Sequence, residues 1–195
     1  VEWIETVSED GWMLTPARLE EALASGSGTR VLLINYPCNP TGRTYSAETL
    51  EEMARICRKH AVLVISDEIY ADLHFEGAHR SLAEFYPEAT IVTAGLSKWC
   101  GAGGWRLGTI AIPRTLRWLL DSMAVVASET FTTTSAPIQY AAIKAFERGP
   151  EIQTYLRKSR TVLKRIGTNA ADSLNSFGLD VPRPEGRSEE HTSEL

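Results

Sequence analysis

The sequence predicts an α/β fold with a mostly parallel sheet, and three observations carry that prediction. Short apolar runs at 31–34, 62–65 and 91–94 each read as a buried strand. A segment of helical period joins the first two at the length of a strand–helix–strand crossover, which favours a right-handed connection and a parallel pair. Each run then ends in a loop rich in chemically capable side chains. These loops are Asn39-Pro40-Thr41-Gly42, Ser66-Asp67-Glu68-Ile69-Tyr70, and Gly95-Leu96-Ser97-Lys98 with Gly104-Trp105-Arg106 behind it.

The elements follow in order along the chain. Residues 1–7 read as a strand already under way. Thr15 caps a short helix that has Pro16 at its first position, where the missing N–H costs nothing. The polar, Gly-containing stretch 25–29 leads into the strand at 31. Ser46 caps a helix running to about His60, with Leu50, Met53, Ala54 and Cys57 on one face. A further strand is expected at 108–112, and Pro113 opens a helix through Leu116, Leu119, Leu120 and Met123. A Ser/Thr-rich stretch at 128–135 precedes a helix over about 136–146. Gly149-Pro150 breaks the chain, and 151–176 reads as one long helix. Its apolar stripe runs through Ile152, Tyr155, Leu156, Ser159, Val162, Leu163, Ile166, Ala170 and Leu174.

Composition narrows the class. The 195 residues are 43% hydrophobic and 23% charged, which is ordinary for a globular chain. The net charge of -5 gives no basic footprint for nucleic acid. No apolar stretch approaches the roughly 18 residues of a membrane span, and no signal-peptide pattern opens the chain. Cys38, Cys57 and Cys100 suit neither a disulfide framework nor a zinc site and read as free thiols of a reducing cytoplasm. His60, His74, His79 and His191 lack ligand spacing and read as surface or packing residues, so no metal site is expected. Trp3, Trp12, Trp99, Trp105 and Trp118 are expected mostly in the core, with Trp105 beneath its glycine-rich loop.

Ligands of open α/β sheets bind outside the carboxyl ends of the strands, so the three loops should converge on one pocket. Lys98 is an odd structural choice after a buried strand, because an unpaired ammonium is costly to bury. A desolvated lysine suits attack on a carbonyl carbon. Asp67 ends a strand that otherwise holds only apolar residues and Ser66. It is either a turn cap or a carboxylate aimed at a cation. Asn39 has a similar second reading, since Asn-Pro-Thr-Gly is a good turn by itself. Arg106 can grip a phosphate through a bidentate fork, and Ser97 can donate a hydroxyl. Gly101, Gly103 and Gly104 allow the tight backbone between lysine and arginine. Glu68 has no assigned role and reads as a solvated or supporting carboxylate.

In type, order and approximate spacing these motifs resemble the class I/II aminotransferases, pyridoxal 5'-phosphate enzymes of fold type I. The resemblance covers 1–186 and about the middle half of a family member. It implies a three-layer α/β/α large domain at 1–149, incomplete at its start, with 108–112 as an antiparallel strand. It implies an interdomain helix and the start of a small domain at 150–186, ending near Pro184-Glu185-Gly186. Lys98 would form the Schiff base with the cofactor aldehyde and then move a proton. Asp67 would face the pyridine nitrogen, Tyr70 and Asn39 would bond the phenolic oxygen, and Ser97 and Arg106 would hold the phosphate. Many members carry a second hydroxyl three residues before the lysine, where this chain has Gly95.

The implied reaction is amino-group exchange between an L-amino acid and a 2-oxo acid in a cytoplasmic homodimer. A carbon–sulfur lyase or synthase of the same fold would share every residue named. A ligand-sensing domain of a transcription regulator is the alternative from another class. Residues 127–137 contain neither Arg nor Lys, which disfavours one branch's way of choosing dicarboxylates. The ring-stacking aromatic, the phosphate helix and the substrate-carboxylate arginine would lie outside this sequence, so the chain alone is expected to be inactive. Residues 187–195 read as the in-frame translation of a sequencing adapter rather than as part of the fold.

Overall fold

A computed structural model describes residues 1–26 and 28–186. The expectation for the tail at 187–195, and that for His191, lie outside the described residues. Four strands form one sheet in the order β1 (Val31–Asn35), β2 (Leu63–Asp67), β3 (Thr90–Gly95) and β4 (Gly108–Ala111). The first three are parallel and β4 is antiparallel to β3, as expected. The register sets Asn35 opposite Asp67, and Asp67 opposite Thr93.

Helices α1 (Pro16–Ala24) and α2 (Ala47–Lys59) begin where their caps predict. The Thr15 side chain accepts from the Arg18 N–H, and the Ser46 side chain from the Thr49 N–H. Leu19, Leu50, Met53 and Cys57 from these helices close over Leu32, Ile34, Val62 and Val64 in one buried cluster. Burial alternates along β1, so its opposite face is open, with Leu33 70% exposed. A four-residue helix, α3 (Leu82–Phe85), escaped the sequence pattern because it spans barely one turn; a capping box of Ser81 and Glu84 holds it.

The second half is helical: α4 (Arg117–Thr130), α5 (Ala136–Glu147) and α6 (Pro150–Ser176). The first of these runs into the Ser/Thr-rich stretch and so is longer than its periodicity suggested. A second buried cluster joins Ala142 and Leu156 to Tyr70, Leu73, Leu96, Trp99 and Leu107. The chain then turns back on itself. Phe75 N–H donates to Glu185 O at 2.8 Å, and the Glu185 and Gly186 N–H groups both donate to Gly42 O, at 2.7 and 3.0 Å. Pro184 packs so closely on Gly42 that a Cβ there would lie 2.5 Å from it.

Two expectations are corrected. Residues 1–7 are not a strand: they pair with no ladder, because no described strand lies beside them, and a 3-10 turn at Ser8–Asp10 follows. Of the five tryptophans only Trp99 is buried, at 3% exposure. Trp3 and Trp118 are largely exposed, and Trp12 and Trp105 are 44% and 49% exposed, so Trp105 is not packed into the core.

Candidate active site

The parallel sheet delivers the three loops to one edge, because β1, β2 and β3 all end on the same side. Asn39 follows β1 through a loop in which both the Tyr36–Pro37 and Asn39–Pro40 peptides are cis. Its Nδ2 lies 3.5 Å from the Tyr70 hydroxyl. The Lys98 ammonium nitrogen sits 5.5 Å from the centroid of the Tyr70 ring. Tyr70 is itself buried to 3% and wedged into the second cluster, so the phenol has little freedom to leave. Amide, phenol and amine therefore meet around one side chain.

Asp67 closes β2 with its carboxylate partly open to the same edge. Its Oδ1 accepts from the Thr93 hydroxyl at 3.0 Å and from the Ile69 N–H at 3.3 Å. The turn-cap reading of Asp67 is thus realised in part, and it leaves the carboxylate fixed in direction rather than spent. Asn35 is a positioning residue the sequence reading missed. Its Nδ2 donates to Asp67 O at 3.0 Å while its Oδ1 accepts from the Asn39 N–H at 3.0 Å. One amide ties the first loop to the second. A polar residue closing an apolar strand was the available signal.

The third loop bends sharply. Gly101 N–H donates to Lys98 O and Ala102 N–H to Leu96 O, and Gly101 takes a φ of +63° that favours glycine. Ser97 and Lys98 are both half-buried within this bend. Arg106 holds a left-handed φ of 55°, uncommon for a residue with a side chain, and its Nη1 donates to Gly103 O at 2.9 Å. The guanidinium is exposed and turned back on its own loop. Gly95 has a plain steric cause: a Cβ there would meet Leu107 O at 2.7 Å, where β3 and β4 approach. A side chain at this position has no room in this backbone without a shift of the strands.

Of the two readings of Glu68, the structure drops the solvated one. Glu68 is 5% exposed and accepts from Tyr36, Ser66, Ser81 and His79. Burial, and then the neighbouring Glu68 charge, push the Tyr36 phenol well above its ordinary range, so it keeps its proton. His79 reads as a packing residue in that network. His60 bonds Glu20 at 3.0 Å, and burial lowers His74 below its ordinary value. Among the described residues no group of three or more His, Cys, Asp or Glu could hold a metal, and all three cysteines are free. No helix among them is long and apolar enough to cross a membrane.

Fold and edge together define an open α/β protein whose strand-end lysine, carboxylate and phenol face one site. The chain belongs to the family of class I and II aminotransferases, whose description it matches over residues 1–187. It is 32% identical over 183 residues to the aspartate/prephenate aminotransferase of Thermus thermophilus, covering 94% of this chain and 46% of that protein. An aspartate aminotransferase of Bacillus sp. is 37% identical over 189 residues, covering 94% and 46%. Among solved structures, the Thermus thermophilus aspartate aminotransferase with maleate superposes with a TM-score of 0.86 at 32% identity, covering 94% of this chain and 47% of that one. An aromatic aminotransferase from Pyrococcus horikoshii gives 0.86 at 33%, covering 94% and 48%. The fold is thus the large domain of fold type I, and the chain spans about half the length of the curated relatives it matches.

Proposed function

We propose that this chain carries the lysine-bearing core of a pyridoxal 5'-phosphate-dependent aminotransferase, exchanging an amino group between an L-amino acid and a 2-oxo acid. One observation carries the reading: Asn39, Asp67, Tyr70 and Lys98 converge at the carboxyl edge of three parallel strands. The donor set suits that cofactor. A carboxylate with a fixed direction matches a ring nitrogen, a phenol and an amide match a ring oxygen, an amine matches an aldehyde, and Ser97 with Arg106 matches a phosphate. When bound, the cofactor supplies an electron sink for charge left on the substrate carbon.

Each residue then has a task. Asp67 would keep a positive charge on the ring nitrogen, its carboxylate fixed by the Thr93 and Ile69 bonds. Tyr70 and Asn39 orient the ring oxygen. Lys98 would hold the cofactor's aldehyde carbon and, once displaced by substrate, would carry the proton away from the substrate α-carbon. Arg106, whose exposed guanidinium here donates to Gly103 O, would hold the phosphate with Ser97. The reading extends to a cytoplasmic homodimer and to a domain boundary near Gly149, where Arg148 takes a left-handed φ of 52° between α5 and α6. The relatives' names include aspartate, prephenate and aromatic activities, so a dicarboxylate or aromatic substrate is the class to assay first.

The test uses the full-length protein containing this chain. Borohydride reduction followed by peptide mass mapping is expected to find the cofactor on Lys98. Lys98→Ala is expected to lose that adduct and nearly all turnover. Cofactor found on another lysine would overturn the assignment.

A further inference from the structure

Successive residues at a strand end leave on opposite sides, so Asp67 and Glu68 diverge: one toward the site, the other into the protein. Glu68 gathers donors from separate segments beside the first buried cluster, of which Tyr36 is a member. Tyr36 Oη at 3.2 Å comes from the end of β1, and Ser66 Oγ at 2.9 Å from β2. Ser81 Oγ at 2.7 Å comes from the cap of α3, and His79 Nε2 at 2.8 Å from the loop before it. The polarity of this cluster is fixed from outside. Tyr36 Oη already accepts from the Leu82 N–H at 2.6 Å, and Ser81 Oγ from the Ala83 N–H at 3.2 Å. Both hydroxyl protons are therefore free to point at Glu68, and the centre demands a group that only accepts.

A carboxylate buried on this scale is costly unless every oxygen is satisfied. An apolar residue here would strand the Tyr36, Ser66 and Ser81 donors instead. The backbone it controls carries the site: Glu68 N–H donates to Thr93 O at 2.9 Å, and Ala71 N–H donates to Glu68 O at 2.9 Å. Asp67 is one residue before it and Tyr70 two residues after.

We propose that Glu68 is a positioning residue, its clamped carboxylate locking the 67–70 turn so that Asp67 and Tyr70 are aimed together at the site. This rests on the functional reading above. A side chain that only supports the fold would change stability and leave the bound ring's environment alone. A positioning residue changes the environment of whatever Asp67 and Tyr70 hold. Glu68→Gln is nearly isosteric, yet it replaces a charged acceptor by a neutral amide that binds the three hydroxyl donors more weakly, and its NH2 faces His79 Nε2, which must then accept.

The experiment compares wild type, Glu68→Gln and Tyr36→Phe in the full-length protein. Melting temperature reports the fold, absorbance titration gives the Kd for pyridoxal 5'-phosphate, and visible circular dichroism reports the held orientation of the bound ring. Glu68→Gln is expected to stay folded with a lowered Tm and a reduced visible dichroism. It is also expected to bind cofactor about tenfold more weakly, the scale seen when outer partners of a ligating group are removed. Tyr36→Phe deletes one donor of four and is expected to move the same readings less. A Glu68→Gln protein with lowered Tm but wild-type dichroism and Kd overturns the inference. Should Glu68→Gln not fold, wild-type dichroism and Kd in Tyr36→Phe overturn it instead. Failure of wild type to trap cofactor on Lys98 overturns the functional reading, and this inference with it. Trapping with an unchanged Glu68→Gln spectrum overturns this inference alone.

Discussion

Helices α2 and α4 are nearly equal in length, 13 and 14 residues, and their surroundings differ completely. The former buries Leu50, Met53, Ala54, Ile56 and Cys57. The latter buries nothing, and Trp118, Val125 and Val126 stand 64%, 65% and 62% exposed. Helical period marks which face is apolar and says nothing about whether a partner is present. The long α6 repeats the lesson on one element. Leu156 is buried against the second cluster while Tyr155, Val162 and Ile166 of the same stripe lie near half exposure. The strand-end groups belong to the closed half. Their bonds run to β1, β2, β3 and the loops between, and Tyr70 is held by a complete cluster.

The largest expected effect breaks or keeps this contrast directly. Leu50→Ala in this chain is expected to cost about 2–5 kcal/mol, because it removes a fully buried side chain and leaves a cavity. Val125→Ala is expected to stay within about 0.5 kcal/mol, the range of surface changes. Urea titration of the two variants measures both. Equal costs would mean that α4 has a partner in solution that the fold does not contain. Repeating Val125→Ala in the full-length protein sharpens the test, since a cost that appears only there shows that added chain covers this face.

The next effect probes the claim that the site belongs to the closed half. Asp67→Ala in the full-length protein is expected to slow turnover on the order of 100-fold, about 3 kcal/mol of barrier, the scale of one lost preorganised partner. Cofactor should still be trapped on Lys98. Single-turnover rates decide it, and a wild-type rate would remove the charge-holding role of Asp67.

Most of the closed half was legible in the sequence. Three strands, two capped helices and the parallel order followed from apolar runs, Thr15, Ser46 and the crossover length. The placement of Asp67 at a strand's last residue, and of Asn39, Tyr70 and Lys98 a few residues beyond strand ends, was legible, because a strand end fixes position through only a few torsions. What stayed hidden was nonlocal. Asn35 bonds Asp67, and Glu68 bonds Tyr36, across 32 residues of chain, which no short-range spacing encodes. The bareness of β1's outer face was equally invisible, because Leu33 reads as apolar whether or not anything covers it. The supposed strand at 1–7 fails for the same reason: a strand needs a neighbour, and local composition cannot supply one.

The smallest expected effect lies at the seam between the halves, where His74 bridges antiparallel to Gly186 of the returning segment. Burial is the main cause that lowers the His74 pKa, and the nearby His79 and Arg160 add to it, against opposing pulls from Glu185 and Glu76. A histidine depressed in the folded state binds fewer protons there than when unfolded. Stability therefore holds above the unfolded value of about 6.5 and falls as pH drops through the folded value. The exposed carboxylates Glu20, Glu48, Glu76, Glu84 and Glu88 are all lowered from 4.5, so their losses begin at more acid pH. Between pH 7 and 5.5 the His74 contribution is thus separable from theirs. The denaturant midpoint of wild type should fall relative to that of His74→Leu as pH falls through that window, because only wild type must protonate a half-buried ring. Parallel curves would mean that the seam opens to water without cost, and the returning segment would then belong to the open half.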